Sequence, residues 1–569
     1  MTRTSLVESI QRTRWRVTRG MAVILRRSGA LSALLWLALS GCASRAEPAR
    51  APHLVREGTP DSVNIALARE RGGEQAFEFA SWSKATFERA RKERRFILLH
   101  GAAVWCHWCH VMEETTYRDP RVGKLLHDRF IVIRVDIDSR PDIEERYAEW
   151  GWPATILLSP DAEELGKYRG YLEPVELLEI LKRAGSATRP DEESLEPGAT
   201  SASPAAMPWV ALRALRDFDS YYDAEQGGWG TRQKAPLGEN AEFEVLRGAK
   251  DAAARHRALF SLRQQAALID PVWGGIYQYS DGGTWKAPHY EKLMTFQAAN
   301  LAAYAEAYRL SRDARFLNWA RAIARYVDGF LAAPNSAGYY VSQDADVGAH
   351  ERTSRFVDGK IYYGKPEAER LKLGVPRVDT HVYAEESGLW LSALAALGSA
   401  GERSALDQGL RTARNLLKTH VLPDGRVKHS AKDTGRYHLS DAASLGFACV
   451  RLSAALQDSD PAAASELKSA AQRIATALDP LWDERVNAYW AGNPDKDAAG
   501  VFATRRHPFG ANVLVARLLL QLGTSEERDW AARGRSALAS ISTPASLDEQ
   551  GRWLGGYLMA LDEAGYLKQ

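Results

Sequence analysis

Three patterns of apolar and polar positions divide the chain. Arg26 and Arg27 precede an apolar run from Leu31 to Leu39, interrupted only by Ser32. Between residues 62 and 185, short apolar runs of strand length alternate with helical patterns. The spacing predicts strands at Phe96–His100, Phe130–Asp136 and Ile156–Leu158, an edge strand near Tyr168–Gly170, and a closing helix over Pro174–Ala184. A helix is predicted from the cysteine motif at 106 to about His127, and a short one over Asp142–Trp150. Beyond a Ser/Pro/Glu-rich linker (186–206), the period changes to 3.6. About twelve amphipathic helices are predicted, at 207–220, 239–248, 251–268, 293–310, 313–332, 383–398, 403–419, 440–456, 462–478, 509–522, 526–540 and 553–565.

Composition narrows the function classes. With 45% hydrophobic and 26% charged residues among 569, the chain is globular, neither disordered nor polytopic in a membrane. The formal charge of +2 comes from the first 41 residues, which hold seven arginines and one glutamate. The remainder has 67 basic against 71 acidic residues, so there is no electrostatic case for nucleic acid. Four cysteines are too few for a disulfide scaffold.

Residues 1–41 read as a secretory signal: a basic region, an apolar run and small residues. Leu39-Ser-Gly-Cys42 resembles a bacterial lipobox, with Cys42 the lipidated first residue of the mature chain. Met21 is a possible alternative start. Ala43 after the cysteine favours the periplasmic face of the outer membrane. Residues 42–61, small, polar and proline-rich, form the tether.

The chemistry-bearing motif is Trp105-Cys106-His107-Trp108-Cys109-His110. A preceding strand, a following helix and Trp152-Pro153-Ala-Thr, with Pro153 44 residues past Cys109, give an order that resembles the thioredoxin fold. The resemblance implies an exposed Cys106 at a helix N-terminus, where free N–H groups favour the thiolate. Cys109 is then the sheltered resolving thiol, and Pro153 a cis proline facing the pair. A protonated His107 stabilises the thiolate further and makes the disulfide more oxidising. Three other readings stay open: a structural disulfide, C-x-x-C-H haem attachment, and zinc on the two cysteines and two histidines.

Trp105 to Met112, Val132–Asp136 and Ser139–Ile143 are similar to the spermatogenesis-associated thioredoxin-like proteins, as are Trp285-Lys-Ala-Pro-His-Tyr-Glu-Lys, Ser342-Gln-Asp-Ala-Asp346 and Pro508-Phe-Gly-Ala-Asn512. That family implies an α/β thioredoxin-like domain (62–185) followed by an all-α (α/α)6 six-hairpin barrel (207–569). Ser387-Gly388 replaces the family's Asn-Gly, and only Asp441 remains of an Asp-Asp pair. An acidic turn followed by glycine and aromatics recurs at Asp223–Trp229, Asp270–Tyr277, Pro334–Tyr340 and Asp483–Trp490. Such toroids often bind or modify sugars, and Trp285, His289, Glu291, Lys292, Asp344 and Asp346 are the candidate barrel pocket, for a carboxylate pair or a proton-moving histidine. The partner is either a thiol or disulfide protein or a saccharide, with no cofactor and no metal. Cys449, in an apolar helix, reads as core.

Overall fold

The computed structural model describes residue 69 and residues 74–184, 202–525 and 528–567. The expectations for the secretory signal, Cys42 and the tether, and most of the linker, lie outside the described residues.

Four strands form the sheet of the first domain: β1 (Phe96–Ala102), β2 (Phe130–Asp136), β3 (Ala154–Leu158) and β4 (Glu164–Arg169), in the order β2-β1-β3-β4. β1 runs parallel to β2 (Phe96 opposite Phe130) and antiparallel to β3 (Leu98 opposite Leu157). Alternate side chains serve two cores, which is why these strands read as continuous apolar runs. Leu98, Val132 and Leu157 pack with α3 (Pro120–Arg129) and α5 (Pro174–Ala184). Ile97, Leu99, Ile131, Ile133 and Ile156 pack with Phe87 of α1 (Lys84–Glu93) and Ile143 of α4 (Pro141–Tyr147). The single helix expected up to His127 is instead two. α2 (His107–Glu114) ends before Asp119, whose carboxylate accepts the N–H groups of Arg121 and Val122 and caps α3, with Pro120 in its first turn.

Among the described residues, twelve helices of the second domain form six hairpins, and three short ones (Gly359–Tyr363, Glu367–Leu373 and Pro544–Gln550) lie in the connections. Six lie outside: α6 (Met207–Ser220), α8 (Ala252–Gln265), α10 (Ala314–Tyr326), α12 (Arg403–Thr419), α14 (Pro461–Ala477) and α16 (Trp530–Ile541). Six lie inside: α7 (Gly238–Arg247), α9 (Met294–Ser311), α11 (Ala384–Ser399), α13 (Leu439–Leu456), α15 (Phe509–Leu522) and α17 (Gly555–Glu563). Each inner helix packs on the next, and α17 packs back on α7, which closes the ring of an (α/α)6 barrel. The sequence reads all twelve as amphipathic, yet the inner ones are buried on nearly every face. α13 is long and apolar enough to cross a membrane, and here it is core. Small residues let the ring close: a Cβ at Gly388 on α11 would lie 2.6 Å from the Ser444 backbone on α13.

The connections sort by end. Inner-to-outer links are short (248–251, 312–313, 400–402, 457–460, 523–529). Outer-to-inner links are mostly long (221–237, 266–293, 327–383, 420–438, 478–508, 542–554). The weak sequence repeat falls in the long ones as a small antiparallel turn: Tyr222 pairs with Trp229, Ile269 with Ile276, Ala332 with Tyr339, and Trp482 with Tyr489. A fifth copy, Val421 with Val427, has no aromatics to announce it. The acidic residue ties the turn by accepting backbone N–H groups, as Asp223 does from Glu225 and Gln226. A polar side chain in the first turn of the next inner helix then clamps it: Gln297 holds Ile276, Ser387 holds Tyr339, and Asn512 holds Tyr489. The serine at 387 thus does by hydroxyl what an amide does elsewhere.

The described residues of the two domains belong to one compact unit. The thioredoxin-like domain sits on the long-loop end of the barrel. Phe502 packs against Trp82 (ring centroids 4.7 Å apart), the Val501 N–H donates to the Ala162 carbonyl (3.0 Å), and Arg140 pairs with Asp495 (3.2 Å).

Candidate functional site

Cys106 caps α2 from its N-terminal side, and its Sγ accepts the Cys109 N–H (3.2 Å). The two cysteines are joined as a disulfide. The Trp152–Pro153 peptide bond is cis, and Trp152 packs against the cysteine cluster. Trp105 donates from Nε1 to Asp138 (2.9 Å), and Trp108 lies against Tyr171.

Cys106 was expected to be exposed, and it is not: it is 2% accessible. It lies in an apolar cluster built from both domains: Ala102, Ala103, Trp105, Cys109, Ile137 and Trp152 of the first, and Leu293 at the start of α9 and Phe296 within it from the barrel. In this disulfide form the two sulfurs are bonded to each other, and His110 turns to the barrel.

Both histidines of the motif meet the Asp-Ala-Asp segment, more than 230 residues away in sequence. His107 Nδ1 lies 2.5 Å from Asp346 Oδ2. Burial would lower the His107 pKa, but the charge and hydrogen bond of Asp346 outweigh it and raise it to about 10. Asp346 is held below the usual carboxylate range: burial opposes this, and the His107 charge prevails. Asp346 also accepts the Gly359 N–H (2.8 Å). His107 is therefore cationic, but its charge is answered at contact distance. Its field at Cys106 is that of an ion pair, weaker than a lone imidazolium would supply.

His110 lies beside Asp344 (Nδ1 to Oδ2, 3.6 Å) and His350 (ring centroids 4.4 Å apart). His350 Nε2 lies 2.9 Å from the same Asp344 oxygen. Burial, then the neighbouring His350, pushes His110 down to about 3. Burial, then Arg377, pushes His350 down to about 4. Both imidazoles are neutral at physiological pH. Burial and the Asp346 charge hold the Asp344 carboxyl well above its ordinary range. These three residues can hold a metal ion, with their ligand atoms all within 4.8 Å of one another. The sequence reading missed His350, which lies in a loop with no periodic pattern to mark it.

The six residues read as one barrel pocket do not line a single pocket. Trp285 is buried, donates to the Gln226 carbonyl (2.8 Å), and packs against the Gly227–Gly228 turn. Lys292 is fully buried and pairs with Asp270 (2.9 Å), not with its neighbour Glu291. Arg370 binds the same carboxylate at 2.7 Å. His289 stands to the side, stacked on Tyr279 and bound to Asp281 (2.7 Å). Only Glu291, Asp344 and Asp346 gather near the motif. Glu291 is buried beside His107 and His289, its pKa raised by burial.

A second latch crosses the domains. His429 donates to the Asp138 backbone carbonyl (2.8 Å) and pairs with Asp441 (3.0 Å). Cys449 is a buried free thiol within α13, its pKa pushed up to about 12 by burial.

Residues 70–184 match a family model, Thioredox_DsbH, described as a protein of unknown function, DUF255. The chain is similar to human spermatogenesis-associated protein 20, 28% identical over 353 residues. The match covers 55% of this chain and 44% of the human protein, so it spans less than half of that relative. Among solved structures, cellobiose 2-epimerase from Spirochaeta thermophila DSM 6192 is similar over 63% of this chain and 96% of its own (TM-score 0.48, 12% identity). An unsaturated glucuronyl hydrolase specific for heparin is similar over 64% and 98% (TM-score 0.44, 11% identity).

Proposed function

We propose that the protein carries out thiol–disulfide exchange at Cys106–Cys109, on a partner that the barrel selects or holds. The observation that supports this reading most is the position of the disulfide: at a helix N-terminus, with the Cys109 N–H aimed at the Cys106 sulfur, beside a cis proline loop. A partner thiolate attacks Cys106 Sγ, and the S–S electron pair leaves on Cys109, which takes up a proton. A second partner thiol then displaces Cys106, so the partner is oxidised to a disulfide and the pair is reduced to two thiols. The reverse sequence reduces a partner. Because the cysteines are buried in a cluster that includes Leu293 and Phe296 of the barrel, a partner reaches them only where that packing opens, and the barrel thereby acts as the selector.

Cys109→Ser should accumulate a mixed disulfide through Cys106, and Cys106→Ser should abolish exchange. The reading fails if no mixed disulfide forms and Cys106→Ser reacts with thiol substrates as the parent does.

We propose also that the exchange takes place in the cell envelope, at the periplasmic face of the outer membrane, with lipid on Cys42 as the anchor. The motif Leu39–Cys42 supports this. Cys42→Ala should move the protein from the membrane to the soluble fraction; retention at the membrane would count against a lipid anchor.

A further inference from the structure

We infer that His110, Asp344 and His350 form a binding site for one divalent transition-metal ion, of the kind Zn2+ represents, which pins the helix carrying the dithiol to the barrel. The inference is independent of the exchange reading, and either can fail alone.

Four observations carry it. The first is the donor set. Two imidazoles and one carboxylate are the protein ligands of zinc sites that keep a fourth position open. The second is spacing. Ligands about 2.0–2.1 Å from a tetrahedral ion lie roughly 3.3 Å apart. Asp344 Oδ2 is 3.6 Å from His110 Nδ1 and 2.9 Å from His350 Nε2, which bracket that value. All three ligand atoms lie within 4.8 Å of one another. The third is the state of His110. It is 4% accessible, and neither ring nitrogen has a hydrogen-bond partner among the described residues. An imidazole buried with both nitrogens unpartnered, one of them directed at a carboxylate, is short of one interaction. A bound cation supplies it.

The fourth is support around the ligands. Asp344 Oδ1 accepts the Asp346 N–H (3.1 Å), which leaves Oδ2 turned to the histidines. The Asp344 N–H donates to the Arg377 carbonyl (2.9 Å), which fixes the loop. The Val104 backbone, just before the cysteine motif, lies beside His350. Partners of this kind orient metal ligands. Arg134, Arg377 and the cationic His107 bring positive charge to the neighbourhood, and Glu113, Glu291 and Asp346 bring negative charge.

The ion would bind one ligand from α2 and two from the loop of residues 327–383. It is thus an interdomain clamp next to the disulfide, with the cysteine sulfurs outside its ligand set.

The test is calorimetric titration of the full chain, disulfide intact, with Zn2+, and with Co2+ for its visible absorption. One ion per chain is expected, with the Co2+ spectrum of a four-coordinate nitrogen and oxygen site. His110→Ala and His350→Gln should each weaken binding by at least about a hundredfold. The double variant Cys106→Ser, Cys109→Ser should bind as the parent does. His350 stands in a loop, half-buried, so His350→Gln decides the matter even if His110→Ala does not fold. A melting temperature that Zn2+ raises in the parent and not in His350→Gln is the second readout. The inference is overturned if no stoichiometric binding occurs, if binding survives His350→Gln, or if it is lost with the cysteines.

Discussion

Around Asp270, buried charges are closed on one another; around His110, buried polar atoms are left without hydrogen-bond partners. Asp270, Lys292 and Arg370 are all buried at the loop end of the barrel. Lys292 donates to Asp270 and to the Gly274 carbonyl, Arg370 donates to both Asp270 oxygens and to the Tyr363 and Lys365 carbonyls, and Tyr326 and Trp273 face the two cations. The cluster ties the turn after α8 to the loop before α11 and leaves nothing for a ligand. A short way along the same rim, the His110 nitrogens and Glu291 Oε2 have no hydrogen-bond partner among the described residues. Buried charge alone therefore does not mark a functional site in this molecule.

The contrast can be broken by substitution. Asp270→Ala leaves two buried cations without their anion and should cost about 3–5 kcal/mol in denaturant unfolding. A loss under about 1 kcal/mol would mean that the cluster is not the closed network it resembles. His110→Phe, in metal-free protein, should cost close to nothing, because it removes a polar group that lacked partners and keeps a ring of similar shape. If the two variants destabilise alike, the distinction is lost.

His429 is an intermediate case, fully partnered but titratable. Burial would lower its pKa, yet the Asp441 charge and hydrogen bond raise it from 6.5 to about 10. The folded protein thus holds this proton more tightly than the unfolded chain. The contribution is complete below about pH 6.5 and is lost as pH rises towards 10, at no more than about 1.4 kcal/mol per pH unit. Asp441→Asn should flatten that part of the stability profile between pH 7 and 10. An unchanged slope would show that the pair does not titrate in this range.

Most elements of both domains were legible in the sequence, because strand runs and helical periods are local, but α1 (Lys84–Glu93) was not read. Phe130–Asp136 and Pro174–Ala184 have the observed limits, and the twelve barrel helices fall where the 3.6 period places them. The break between α2 and α3 was carried by Asp119-Pro120, a capping pair that a continuing apolar period concealed. The site was legible only as fragments. The cysteine motif and Asp344-Ala-Asp346 each stand out, but their meeting depends on how one domain lands on the other, and no local pattern encodes a contact across 239 residues. The same packing buries Cys106 and splits Lys292 from Glu291.

The most direct test of exchange is the reduction potential of Cys106–Cys109 in the full chain, equilibrated in glutathione buffers and read by thiol alkylation. Exchange predicts a value between about −270 and −120 mV, reached rapidly. A value below about −300 mV, or equilibration too slow for turnover, would mark the bond as structural and contradict an exchange role.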